Sequence, residues 1–142
     1  MDKQSTVEFL DPIDLGERDW GTETLLALVS GKYSLKSLKV RAGRMGGLQF
    51  HHKKDECGYL LSGTLIVRYD NGDGELIETR LKPGAVFHFP PGVVHQEEAI
   101  TDCEIIEVST PHFNDRVRVE ERYGLPLSGG LPSVLIEDVE LR

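Results

Sequence analysis

Short apolar segments separated by glycine and proline turns run through most of this 142-residue chain. Such segments are typical of β-strands, and the turn residues between them allow tight reversals. Because helical periodicity is weak before Arg116, the chain is predicted to form an antiparallel sandwich or a small barrel. The predicted strands are 22–29, 33–41, 65–69, 76–81, 86–89, 93–96 and 103–109, whereas 117–123 fits either a strand or a helical turn.

The length of the chain fits one domain and is too short to divide comfortably into two. No apolar run approaches the roughly 20 residues that cross a bilayer, and the first residues lack the apolar core of a signal peptide. We therefore expect a soluble, cytoplasmic protein that does not contact membranes. The two cysteines, Cys57 and Cys103, are too few for a disulfide scaffold and are expected to be reduced thiols.

The charge balance limits the class of partner. The chain has 24 acidic and 16 basic residues and a formal net charge of −8. Nucleic-acid binding depends on neutralising phosphates, so this balance disfavours it. A small anionic ligand such as a sugar phosphate is still permitted, because one or two local basic groups suffice to bind it.

Metal-ligand side chains are concentrated between Gly46 and Gly63. In an extended segment alternate residues share a face, so Gln49 and His51 project to the same side. Glu56 follows closely enough to return beside His51 if the chain turns into a second strand. Far along the chain, His95 comes just after a tight Pro-Pro-Gly turn. Imidazole, carboxylate and amide groups together suit one divalent transition metal: zinc, manganese, iron or nickel.

These two stretches resemble the two motifs of the cupin family. The first motif, H-x-H-x(4)-E-x-x-Y-x-L-x-G, has its anchors here at Gln49, His51, Glu56, Tyr59, Leu61 and Gly63. The second, G-x(5)-P-x-G-x-x-H, has its anchors at Gly84, Pro90, Gly92 and His95. The resemblance implies an all-β jelly-roll barrel, a double-stranded antiparallel β-helix, with a metal held by Gln49, His51, Glu56 and His95.

One departure points within the family. Gln49 replaces the first histidine, and the pattern Q-x-H-H-x-x-x-E is similar to the cupin of bacterial type II mannose-6-phosphate isomerases. Flanking segments add to this likeness: Trp20-Gly21, Tyr33 to Lys36, and Cys103 to Gly124. The closing arginine of that subfamily is Leu125 here. The likeness implies a metal-dependent sugar or sugar phosphate isomerase.

Two other readings remain open, because one scaffold hosts many chemistries. An iron-dependent oxygenase acting on a small molecule would use an open metal position to activate dioxygen. A sugar-binding or sensor cupin without enzymatic activity would agree with the altered Gln49.

Two further residues are candidate acid–base groups. His88 interrupts the apolar run V-F-H-F-P, and it is predicted to face the cavity if Phe87 and Phe89 fill the layer between the sheets. Lys36 shares its parity with Leu38 and Val40, so its ammonium is predicted to reach into or over the barrel mouth, the alternative being an edge lysine that extends to solvent.

Other charged residues have simpler interpretations. Lys53 and Lys54 are read as solvated charges, and Glu97-Glu98 as a solvated turn. His52 has the opposite parity from His51 and is expected to lie outside the cavity.

The chain divides into three predicted parts. Residues 1–19 form an N-terminal arm that could pair along a sheet edge, and residues 20–124 form the barrel. Residues 125–142 form a tail that begins with a flexible stretch and becomes apolar. Apolar tails outside a closed barrel often pack on a neighbouring molecule, so we expect a homodimer.

Overall fold

The computed structural model describes residues 5–127 of the chain. Within this range the secondary structure consists of eleven strands and one 3-10 helix, Glu120–Tyr123. The strands are β1 (Ile13–Arg18), β2 (Gly21–Val29), β3 (Tyr33–Val40), β4 (Gln49–His51), β5 (Glu56–Ser62), β6 (Leu65–Asp70), β7 (Leu76–Leu81), β8 (Val86–Phe89), β9 (His95–Ala99), β10 (Cys103–Ser109) and β11 (Arg116–Arg118).

The strands form two antiparallel sheets. One has six strands in the order β1-β2-β3-β10-β5-β8, and the other has five in the order β11-β4-β9-β6-β7. Neighbours in each sheet are mostly distant in sequence, as in β3–β10 and β4–β9. This arrangement confirms the predicted all-β jelly-roll barrel.

The inner face of the six-stranded sheet changes from apolar to charged along its length. At one end Val40 lies opposite Cys103, and Leu38 lies opposite Ile105. These strands pack there around a buried cluster that includes Leu60 and Leu65. Farther along the same faces, Lys36 lies opposite Glu107 and Ser34 opposite Ser109. The barrel therefore has an apolar end and a polar end, and the polar end carries the candidate site.

A smaller cluster involves the five-stranded sheet. Leu48, Val94 and Val119 are buried together, and Phe50, Val117 and Tyr123 pack against them. The segment 117–123, for which the sequence left two alternatives, contains the end of β11 followed by the 3-10 helix. Since β11 pairs with β4, this segment covers one edge of the strand that carries Gln49 and His51.

The strands largely lie where the sequence places them, and β7 and β10 have the predicted bounds. The main difference is β9, which runs from His95 to Ala99 instead of ending at Gln96. Glu97 and Glu98 are therefore strand residues paired with Val67 and Ile66, and the prediction of a solvated turn there is wrong.

The predicted N-terminal arm is partly incorporated in the barrel. Ile13–Arg18 pairs antiparallel with β2 and forms an edge of the six-stranded sheet. Most of the predicted C-terminal tail, residues 128–142, lies outside the described residues. In the described part of the chain, no helix has the length and apolar character that a membrane span requires.

Candidate metal centre

Three side chains from both sheets meet inside the polar end of the barrel. His51 ends β4 and His95 begins β9 in the five-stranded sheet, while Glu56 begins β5 in the six-stranded sheet. One ligand atom from each of the three lies within 4.8 Å of the other two, and all three residues are buried. This is a donor set suited to a divalent transition-metal ion.

Glu56 directs one carboxylate oxygen at the two histidines. Its Oε1 lies 3.1 Å from Nε2 of His95 and 3.6 Å from Nε2 of His51. Phe89 stacks on the His95 ring with a centroid distance of 3.9 Å, which limits rotation of this imidazole. The arrangement leaves Nε2 of each histidine and Oε1 of Glu56 facing a common point.

The other nitrogen of each imidazole has its own partner. Nδ1 of His51 lies 2.9 Å from Oδ1 of the buried Asp115. Nδ1 of His95 lies 3.0 Å from the carbonyl oxygen of Val93. Because both partners are acceptors, each Nδ1 carries the proton, and Nε2 presents its lone pair when the ring is neutral.

The second oxygen of Glu56 is bound to a buried lysine. Nζ of Lys54 lies 2.9 Å from Oε2 of Glu56 and 2.8 Å from Oε1 of Glu107. Burial would lower the pKa of Lys54, but these two carboxylates outweigh it and raise this pKa above its usual value. Lys54 is therefore a permanent cation that compensates two buried carboxylates.

The electrostatics prepare the three ligands for a cation. Burial lowers the pKa of His51 more than the hydrogen bond to Asp115 raises it, so this imidazole is predominantly neutral near pH 7. Burial raises the pKa of Glu56, but Lys54 and the two histidines hold it well below its usual range. Burial also lowers the pKa of His95, although its hydrogen bond to Glu56 reverses this and raises it. When His95 is protonated it balances the Glu56 carboxylate, and a divalent ion would displace this proton.

The ligands lie in the wall of a cavity of about 530 Å³. Apolar side chains, among them Leu25, Leu28, Leu38 and Phe113, line part of it, and Gln49 lines it beside the histidines. Its size is within the usual range for small-molecule sites, and a mixed lining with a few polar groups is typical of them.

A group of charges on β1 to β3, in the same sheet as Glu56, also lines the cavity. Nζ of Lys36 lies 2.8 Å from Oε1 of Glu23, and the Arg18 guanidinium lies 3.4 Å from Oε2 of the same carboxylate. Burial would raise the pKa of Glu23, but Lys36 and Arg18 lower it below its usual value. Lys36 also lies 4.9 Å from the centroid of the Phe113 ring. Two cations and one carboxylate leave this wall with a net positive charge.

Two further carboxyl groups line the cavity near the ligands. Glu97 shares the inner face of β9 with His95, and Glu107 lies on the inner face of β10. Burial and the negative charge of Glu56 raise the pKa of Glu97 to about 8 and raise the pKa of Glu107 as well. Glu97 is therefore mostly protonated near neutral pH in the metal-free protein.

The structure brings most of the predicted site residues to one cavity. His51, Glu56 and His95 converge, and Gln49 lies opposite His95 in the β4–β9 pairing. The ligand role of Gln49 stays a prediction, as does the acid–base role of Lys36. The ammonium of Lys36 reaches into the cavity wall and not to open solvent.

The prediction that His88 faces the cavity is wrong. Its side chain is 53% exposed and lies 2.6 Å from Asp55 on the outer side of the six-stranded sheet. The inner positions of β8 are taken by Phe87 and Phe89, which pack against the core. The apolar core and the cavity both lie inside the barrel, so side chains that face either one are on the same face of a strand. Because Phe87 and Phe89 face the core, His88 between them faces outward.

Several site residues were not recognised in the sequence. The interpretation of Lys54 as a solvated charge is wrong, because its ammonium is buried between Glu56 and Glu107. Glu107 has a usable signal, since an acidic residue interrupts the apolar face of β10. Asp115 has no such signal, because its partner His51 lies 64 residues away.

A β-barrel of two antiparallel sheets with a His-Glu-His donor set inside defines a class of small metal-site barrels. The sequence profile of the cupin domain matches residues 37–109, about half of the chain. The protein belongs to the cupin family, in agreement with the motif resemblance.

Two known proteins are similar over part of their length. Oxalate decarboxylase of Arthroderma benhamiae is 27% identical over 84 residues, which are 58% of this chain and 20% of that protein. Germin-like protein subfamily 2 member 1 of Arabidopsis thaliana is 30% identical over 101 residues, 71% of this chain and 45% of that protein. The chain thus spans less than half of the length of either relative.

Solved structures share the fold. KdgF from Halomonas sp. has a TM-score of 0.58 and 22% identity, covering 72% of this chain and 88% of that one. Oxalate decarboxylase from Bacillus subtilis has a TM-score of 0.68 and 17% identity, covering 87% of this chain and 38% of that one. At these identities the likeness concerns the fold alone.

Proposed function

We propose that this protein is an enzyme that uses a divalent transition metal to move protons on a small anionic molecule, and that its reaction is the isomerisation of a sugar phosphate. The observation that carries the proposal is the convergence of His51, Glu56 and His95 in a cavity that is also lined by the cations Arg18 and Lys36. The Q-x-H-H-x-x-x-E pattern from Gln49 to Glu56 supports a reaction of the mannose-6-phosphate isomerase type.

The residues present fit a metal ion. Two imidazole nitrogens and one carboxylate oxygen are directed at the same point, and each ligand is held by a partner on its other side. Gln49 is the proposed fourth ligand, through its amide oxygen. Three protein ligands leave at least one position for substrate or water, and with Gln49 as a fourth ligand an open position requires an ion of higher coordination number than tetrahedral zinc.

The cationic wall selects the substrate. Arg18 and Lys36 carry two positive charges, and Glu23 neutralises one of them. A phosphate or carboxylate entering the cavity would restore the balance, and guanidinium and ammonium groups both bind such anions. The substrate is therefore expected to carry its anionic group toward Arg18 on β1 and its reacting carbons toward Lys36 and the ligands.

The chemistry follows from this orientation. A bound divalent ion supplies a Lewis acid that polarises a carbonyl or hydroxyl oxygen and lowers the cost of an enediolate. Arg18 binds the anionic end of the substrate, and Lys36 is the candidate that carries a proton between adjacent carbons. The leucines and Phe113 exclude water from the reacting carbons.

The proposal is tested by supplying fructose 6-phosphate to protein loaded with zinc, manganese, iron or nickel and measuring mannose 6-phosphate. Turnover is expected in the wild type and a large loss is expected in K36M, with metal content retained. H88A is the matched control, because His88 lies outside the barrel, and it should keep its activity. Lack of turnover with every phosphorylated hexose and pentose would contradict the isomerase proposal.

A second candidate reaction is the breakdown of a small carboxylate, favoured by the similarity to the oxalate decarboxylase of A. benhamiae. A dicarboxylate would satisfy both the ligands and the cationic wall. Carbon dioxide release from oxalate, with or without dioxygen consumption, distinguishes this candidate from isomerisation.

The two other predicted functions have their own outcomes. Dioxygen consumption by iron-loaded protein with a small-molecule substrate other than oxalate would favour the oxygenase, and binding of sugars without turnover would favour the sensor.

We also propose that the protein is a homodimer, and we expect it to work in the cytoplasm. The outer face of the six-stranded sheet carries five exposed apolar side chains: Tyr33, Tyr59, Leu61, Val86 and Val108. Six strands about 4.8 Å apart and about 20 to 26 Å long present roughly 600 to 750 Å², close to the about 800 Å² that one partner buries in a standard interface. A second copy of the chain would cover this face by two-fold symmetry.

The dimer proposal is tested by light scattering coupled to size-exclusion chromatography. A dimeric mass is expected for the wild type, and V86E should shift it to a monomer. I77E introduces the same charge on the other sheet and should remain dimeric. A wild-type monomer at about 50 µM would contradict the proposal.

A further inference from the structure

Asp115 makes contacts to two consecutive parts of the metal-ligand segment. Its Oδ1 lies 2.9 Å from Nδ1 of His51, and its Oδ2 accepts hydrogen bonds of 2.7 Å from the backbone amides of Lys53 and Lys54. Its own carbonyl oxygen accepts from the amide of His52 at 3.3 Å. Asp115 is completely buried, so water does not compete for these bonds.

The first contact determines the tautomer of His51. A carboxylate oxygen is only an acceptor, so the ring proton of neutral His51 resides on Nδ1. The lone pair of Nε2 then faces Glu56 and His95, as metal binding requires. Without Asp115, the proton could occupy Nε2 and block that ligand position.

The second contact reaches another ligand. The backbone amide of Lys54 is held by Asp115, and the ammonium of the same residue is bound to Oε2 of Glu56 at 2.9 Å. Restraining the backbone of Lys54 therefore restrains where its ammonium meets the carboxylate. One buried side chain thus holds His51 directly and Glu56 through Lys54.

We propose that Asp115 is the positioning residue that preforms the candidate metal centre, by fixing the His51 tautomer and the turn that carries Lys54. The inference rests on the metal-binding part of the proposed function and assigns no contact with substrate to Asp115. It applies equally to an isomerase, an oxygenase or a binding protein that uses the same ligands.

The informative substitution is D115N. The Lys53 and Lys54 amides both donate to one oxygen, so the single oxygen of asparagine is expected to take that place. Its NH₂ group then points at His51 and donates to Nδ1, which forces the ring proton onto Nε2. The turn keeps its hydrogen bonds while the tautomer is inverted.

Long-range ¹H–¹⁵N NMR of metal-free protein at neutral pH reports which nitrogen of His51 carries the proton, with its signals assigned as those missing in H51Q. The Nδ1–H tautomer is expected in the wild type and the Nε2–H tautomer in D115N. Zinc affinity, measured by competition with a chromophoric chelator, should fall about 10- to 100-fold in D115N. D55N makes the same change at an exposed position of the same turn and should bind zinc as the wild type does.

Two results would overturn the inference: an Nε2–H tautomer in the wild type, or wild-type zinc affinity in a folded D115N. Thermal unfolding of metal-free D115N shows whether this variant folds. If it does not, the tautomer of the wild type can still be measured. Failure of the wild type to bind any divalent ion would contradict the proposed function instead, and the tautomer measurement would still decide the role of Asp115.

Discussion

The ammonium nitrogen of Lys54 lies 2.9 Å from Oε2 of Glu56, whereas Oε1 of the same carboxylate lies 3.1 Å from Nε2 of His95. The two oxygens of Glu56 therefore have separate roles. One balances a buried lysine, and the other faces the position that a metal ion would occupy. This division favours binding of an ion by Glu56 through one carboxylate oxygen and not through both.

Removing the Lys54 cation is expected to destabilise the protein. K54M leaves Glu56 and Glu107 buried without their common partner, and breaking a buried ion pair from one side costs about 3 to 5 kcal/mol. Urea unfolding of the metal-free protein measures the change. K53M is the matched control, because Lys53 is exposed, and it should change stability by less than about 0.5 kcal/mol. Equal stabilities of K54M and K53M would contradict this account.

Metal binding is expected to depend on the inner histidines and not on the outer one. H51A and H95A each remove one of three converging ligands and should lose most of the bound metal. H88A removes an imidazole from the outer surface and should retain the wild-type metal content. Elemental analysis after dialysis gives the metal-to-protein ratio of each variant. Metal-to-protein ratios in H51A and H95A equal to that of the wild type would show that the ion is bound elsewhere.

The Glu23 carboxylate is expected to make stability depend on acid pH. Its pKa is lowered in the folded protein by Lys36 and Arg18, which outweigh burial, whereas in the unfolded chain it is near 4.5. Its contribution is therefore present above pH 4.5 and is lost as the pH falls through the lower folded pKa. The difference in free energy of unfolding between wild type and E23Q should shrink from pH 6 to pH 3. Urea unfolding at both pH values measures it, and a constant difference would contradict the lowered pKa.

Gly58 is expected to accept a side chain only at a cost in stability. A Cβ at this position would lie 2.3 Å from the Phe87 ring, which packs on Phe89 at a centroid distance of 5.2 Å. G58A should force Phe87 to move and destabilise the protein by about 1 to 3 kcal/mol, as measured by urea unfolding. G46A is the matched control, because a Cβ at Gly46 would meet no atom within 4 Å and neither Gly46 nor Gly58 has a positive φ. The combined variant G58A/F87L should recover part of the loss, and failure to do so would argue against a steric cause.

The local sequence pattern determined the strands and the faces of several site residues. The turns that bound β7 and β10 are local features, and both strands have their predicted ends. Gln49 and His51 share a face because strand periodicity depends only on residues two apart. The motif anchors His51, Glu56 and His95 were found because the types of ligand residue and their spacing can be read from the sequence without knowledge of the fold.

Only the tertiary structure decided which charges are buried together and on which side of the barrel. His88 and Phe89 differ by one position, and the assignment of inside and outside depended on where the two sheets meet. Lys54 is 53 residues from Glu107 and Asp115 is 64 residues from His51, so neither contact has a local signal. The physical reason is that strand alternation fixes relative faces over a few residues, whereas the environment of each face is set by strands that pair from distant parts of the chain.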